Sequence, residues 1–87
     1  MHFTLYSRSY CHLCQDMLDA LRLLQTPAQP FTVEVIDIDT SSDPSLLARY
    51  DELVPVLFGD LAQPELCHYF LDIPVVQHYL DSAKTTA

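Results

Sequence analysis

Apolar and polar positions alternate over His2-Phe3-Thr4-Leu5-Tyr6, the period-two pattern of a strand. From Cys14 onward the rhythm changes. Met17, Leu18, Leu21 and Leu24 recur at helical spacing, which predicts an amphipathic helix. Gln25-Thr26-Pro27-Ala28-Gln29-Pro30 ends it as a breaker segment carrying two prolines. Phe31–Asp39 reads as a second strand whose apolar phase switches at Val35-Ile36, as expected of a strand covered on both faces. Ser41-Ser42-Asp43-Pro44 starts a helix, with Asp43 as N-cap and Pro44 at the first helical position; Ser45–Tyr50 follows. Val54–Phe58 is the third strand, and Gly59, the only glycine, turns the chain with Asp60. Glu65–Leu71 gives a fourth strand. Asp72-Ile73-Pro74 opens a last helix with Ile73, Val76 and Leu80 on one side, and residues 82–87 are expected to fray.

The order is βαβαββα. The first strand–helix–strand unit predicts a parallel crossover, and the closely spaced last strands an antiparallel hairpin. Joined, they give an α/β domain over residues 1–87: a four-stranded mixed sheet with helices on both faces, the layering of a thioredoxin-like fold.

The net charge of −8, from four Lys+Arg against twelve Asp+Glu, repels phosphate backbones and acidic membranes. Neither nucleic acid nor a membrane is expected as a partner. No stretch approaches membrane-spanning length, and Met1-His2-Phe3-Thr4 shows neither a basic start nor a long apolar run, so no signal peptide is expected. The three cysteines cannot all pair within one chain, which argues against a secreted disulfide scaffold. The cytoplasm, where thiols stay reduced, is the expected compartment.

There the pair Cys11-His12-Leu13-Cys14 is the candidate chemistry. It falls where the first strand gives way to the first helix. Unpaired N–H groups and the helix dipole favour a thiolate at that point. Such a pair suits a reversible dithiol/disulfide couple: Cys11 attacks, and Cys14, a turn further in, resolves the mixed disulfide. Gln15 follows Cys14, so this is not a haem-attachment motif. Zinc would need two further ligands, and Cys67-His68 would point to opposite faces of a strand; no metal site is expected. Cys67 reads as a small, free, partly buried core residue. His12, opposed by the dipole if protonated, reads as a neutral exposed ring.

Cys11–Cys14 at a strand-to-helix turn, with Val54-Pro55 opening the third strand, resembles the glutaredoxins of the thioredoxin superfamily, over nearly everything from Phe3 to Asp81. The resemblance implies a cis Pro55 packed on the disulfide, with Val54 offering backbone hydrogen bonds to a bound peptide or glutathione. Arg8 holds the place of a family lysine, where it would stabilise the Cys11 thiolate or hold a substrate carboxylate. Tyr10 would shape the rim, and Asp72 would take the family's acidic position at the last helix. His12-Leu13 replaces the usual Pro-Tyr, and Leu66–Asp72 lacks the family's Gly-Gly pair.

The expectation is a small monomeric thiol–disulfide oxidoreductase, acting in cell redox homeostasis on a disulfide-bearing protein or a small thiol. It needs no bound cofactor beyond its own redox-active disulfide, and glutathione is a candidate but weak reductant. Asp51-Glu52 beside the groove would favour a basic protein segment over glutathione. A non-catalytic binding domain on the same fold, and a thiolate metal or iron–sulfur carrier, stay open as alternatives.

Overall fold

Strand β1 (His2–Ser7) is buried from Phe3 onward, and the other elements gather around it. The computed structural model of the protein describes residues 2–8 and 11–85, with side chains as far as 82. After β1 come α1 (His12–Arg22), β2 (Thr32–Asp37), α2 (Pro44–Tyr50), β3 (Val56–Phe58), β4 (Cys67–His68) and α3 (Ile73–Thr85), in the expected order. The sheet runs β2-β1-β3-β4. β1 pairs parallel with β2 and antiparallel with β3, and β3 pairs antiparallel with β4.

Alternation along β1 divides the core into two. Phe3 and Leu5 face one way, and with Leu57 they pack against Met17 and Leu21 of α1 and Val76 and Leu80 of α3. Tyr6 faces the other way and joins Ile38, Tyr50, Val56 and Phe58 beneath α2. There the Tyr6 and Tyr50 rings stack at 5.0 Å, and Phe58 meets Tyr6 edge-on at 5.7 Å. Helices therefore cover both faces, as the apolar pattern implies.

Local signals account for most of the boundaries. Asp43 caps α2, its carboxylate accepting from the Ser45 N–H at 3.0 Å, with Pro44 at the helix start. The same hydrogen bonds hold the Asp43 carboxyl below its ordinary pKa. β2 stops at Asp37 because its Oδ1 accepts from the Asp39 N–H at 2.9 Å, turning the chain. β3 starts at Val56 rather than Val54. The Val54 N–H is donated to the Tyr50 carbonyl at 3.1 Å, and Pro55 has no N–H for a ladder.

Four expectations are corrected. β2 is an edge strand, not a strand covered on both faces: Val35 is 44% exposed. The central position goes to β1. β4 is two residues long instead of spanning Glu65–Leu71, because Tyr69 takes a left-handed φ of 65° that ends the pleat. Ile73 does not share the buried side of α3 with Val76 and Leu80 but is 51% exposed, since it stands at the helix's first position beyond the sheet. Residues 82–85 belong to α3 rather than to a frayed tail, and residues 86–87 of that expected tail lie outside the described residues.

Gly59 is required by close approach. A Cβ there would stand 2.5 Å from Tyr79 Cζ, and that ring lies edge-on to Phe3 at 5.6 Å. Gly59→Ala should destabilise the fold by about 1–3 kcal/mol, the usual cost of overpacking. Tyr79→Ala in the same chain should make the added methyl nearly neutral, a coupling that urea denaturation of the four variants measures.

Candidate functional site

Cys11 is the N-cap of α1, extended at φ −94° and ψ 106°, and its Sγ accepts the Cys14 N–H at 3.2 Å. The sequence folds this way because the apolar stripe of α1 begins with Cys14, Met17 and Leu21, all buried. That stripe draws Cys14 into the core (5% exposed) and leaves Cys11 half-buried at the rim. The two cysteines form a disulfide with Cα atoms 5.2 Å apart. On reduction, the Cys14 N–H and the other free donors of the first turn would favour negative charge on Cys11 over Cys14.

Cys11, Cys14 and Arg8 line one groove, together with Ser7, Leu18 and Val35. His12 also lines this groove, its Nε2 3.2 Å from Asp16 one turn on, in keeping with an exposed ring. Tyr10, expected at the rim, lies outside the described residues.

Arg8 is fully engaged. Its Nε and Nη2 fork onto Asp39 at 3.1 and 3.0 Å, and its Nη1 donates to Asp51. The hydrogen bond to Asp39 raises the guanidinium pKa further, against a smaller opposing effect of burial. No local sequence feature of Asp39 announces this pairing. The only available signal was register: Ser7 sits opposite Asp37, which brings Arg8 alongside the turn after β2.

The Val54–Pro55 bond is cis, as the resemblance implies, and it is the only cis bond among the described residues. Because Val56 pairs with Tyr6, Pro55 stands level with the end of β1 from which the chain runs to Cys11. Of Val54's two backbone groups, the N–H is already used within the turn. Tyr69 closes the segment behind: its N–H donates to the Pro55 carbonyl at 2.9 Å and its hydroxyl to the Glu52 carbonyl at 2.8 Å. Nothing local in the sequence announces the left-handed backbone of Tyr69.

Asp72 lies elsewhere. Its carboxylate caps α3 through the Val75 N–H at 3.3 Å and lines a second groove with Cys67, His68 and Phe70. Among the described residues no group of three or more His, Cys, Asp or Glu side chains could hold a metal. No helix among them is long and apolar enough to cross a membrane.

The sequence matches the family described as glutaredoxin-like domain (DUF836) over residues 2–81. The chain belongs to that family. Among solved structures, this glutaredoxin-like domain resembles protein Ne2328 from Nitrosomonas europaea, determined by solution NMR, at 44% identity and a TM-score of 0.75 over 90% of this chain and 88% of that one. It also resembles a buckwheat glutaredoxin solved as a glutathione complex, at 17% identity and a TM-score of 0.53, covering 94% of this chain and 70% of that one. A wheat glutaredoxin matches at 22% identity and a TM-score of 0.53 over 87% and 69%. The plant likenesses fit the thioredoxin-like fold seen in the sheet order. No curated protein matches the chain.

Cys67 is a free, half-buried thiol. Burial pushes its pKa up, partly offset by the Asp72 N–H. It should therefore stay neutral, and alkylate slowly, at pH 7. Labelling of the oxidised protein by iodoacetamide should report one slow thiol that speeds up only above the ordinary thiol range. Cys67→Ala should remove that signal and leave the Cys11–Cys14 disulfide in place by mass spectrometry.

Proposed function

We propose that this glutaredoxin-like domain is a small thiol–disulfide oxidoreductase. The observation that carries the reading is the asymmetry of the disulfide: Cys11 at the helix cap and rim, Cys14 buried behind it and donating its N–H to the outer sulfur. In the reduced protein the Cys11 thiolate attacks one sulfur of a substrate disulfide. A Cys11–substrate bond forms, and the second substrate sulfur leaves as a thiolate and takes up a proton. Cys14, deprotonated, then attacks Cys11 Sγ. The first substrate sulfur leaves, and the Cys11–Cys14 disulfide closes. Two electrons have passed to the substrate, and a thiol reductant, glutathione or a protein dithiol, returns them.

Val54 and Pro55 form the ledge on which the substrate lies. The substrate is a disulfide-bearing protein or a mixed disulfide, met in the cytoplasm by a monomer. Glutathione is the weaker electron donor. The arginine lining the disulfide groove is already paired with two carboxylates, and Tyr69-Phe70 stand in the stretch where the resemblance would place a Gly-Gly pair.

Single-cysteine variants test the reading. Cys11→Ser should abolish reduction of a model disulfide substrate. Cys14→Ser should accumulate a mixed disulfide on Cys11, visible on non-reducing gels, and should show little turnover with glutathione. The Cys11 thiol should titrate within about 3.5–7.5 by thiolate absorbance. Turnover by Cys11→Ser, or a Cys11 pKa near 8.5 (about the free value), would overturn the assignment.

A further inference from the structure

Arg8 stands three residues before Cys11 and lines the same groove, where a cation would ordinarily be credited with holding the thiolate. Its contacts point elsewhere. Asp39 follows β2 in the turn beyond Asp37, and Asp51 is the C-cap of α2. One guanidinium thus joins three chain segments 31 and 43 residues apart in sequence. The joint with Asp39 is a two-pronged fork, the geometry in which a planar guanidinium fixes orientation as well as distance. Asp51 belongs to the short stretch that runs on through Glu52 and Leu53 to Val54 and Pro55. One positive charge meets two negative ones, so the cluster as a whole offers no net attraction to a thiolate.

We propose that Arg8 is a positioning residue. It ties the end of β1, from which the chain runs to Cys11, to the α2–β3 segment that carries the cis-proline ledge, and so sets the disulfide against the ledge. Backbone hydrogen bonds on either side of the joint are the ones such a strut would steady. The Ile38 N–H donates to the Ser7 carbonyl at 2.9 Å, and the Leu53 and Val54 N–H groups both donate to the Tyr50 carbonyl, at 2.9 and 3.1 Å. The β1–β3 ladder offers no substitute, because its register begins at Tyr6–Val56, short of both Arg8 and Val54.

The catalytic consequence rests on the oxidoreductase reading; the structural one does not. The two roles open to Arg8 differ in sign. If it acted by charge, Arg8→Gln and Asp51→Asn would move the rate in opposite directions, one removing a positive and the other a negative charge. If it acts as a strut, both break the same joint and both lower the rate. Reduction of insulin disulfides, with dithiothreitol as electron source, should fall roughly tenfold or more in both variants, as misplacement of reacting groups by an ångström does. Arg8→Lys keeps the charge but lacks the fork, and should behave like Arg8→Gln. Glu34→Gln removes an exposed carboxylate of β2 that the guanidinium does not use and should leave the rate near that of the parent.

Amide hydrogen exchange supplies the arm that needs no activity. Exchange at Ile38, Leu53 and Val54 should quicken in Arg8→Gln and Asp51→Asn, with Leu5 and Leu57 unchanged. Rates moving in opposite directions, restoration by Arg8→Lys, or unaltered exchange at those three amides would each overturn the proposal. An inactive parent protein would overturn the oxidoreductase reading instead, and the exchange measurements would still decide whether Arg8 is the strut.

Discussion

Burial of β1 on both faces is the constraint from which the arrangement follows. Phe3 and Leu5 have no exposed surface, and each such side chain contributes about 1.5–3 kcal/mol when removed from water. Tyr6 on the opposite face needs equal cover, which Tyr50 and Phe58 supply. A strand with apolar residues on both faces must lie inside a sheet with helices above and below. β2 and β3 therefore flank β1, and α1, α3 and α2 divide its two sides.

That central strand also places the chemistry. Residues leaving its C-terminal end emerge where α1 begins, so Cys11 meets a helix N-terminus with unpaired donors. The antiparallel neighbour β3 enters the sheet at the same end, bringing Pro55 level with it. The parallel neighbour β2 leaves there too, bringing the turn with Asp39. Disulfide, cis-proline and Arg8 cluster thus share one end of the sheet, because β1 and β2 leave it there and β3 enters.

The electrostatics of that edge separate this domain from a site built to hold an anion. The net charge is −8, and Arg8 is matched by two carboxylates. In the proposed oxidoreductase, stabilisation of a reduced Cys11 would fall to the helix start and the Cys14 N–H, which are backbone features. Surface pairs such as Arg8–Asp51 contribute little to global stability; their value lies in orientation.

Local signals in the chain decided a good deal. The element order, Asp43 and Pro44 at a helix start, the cysteine pair at the first turn of α1 and the buried stripe of Met17 and Leu21 are all legible from short-range spacing, because helix caps and periodicity act within a few residues. The cis bond at Val54–Pro55 was legible only through family resemblance. What the tertiary structure alone decided depends on contacts between residues far apart. β2 became the edge because β1 outcompeted it for the centre, and β4 shrank because Tyr69 latches onto Glu52 and Pro55 across the turn. Arg8 found partners 31 and 43 residues away, pairings set by strand register and helix placement, which no local window of sequence contains.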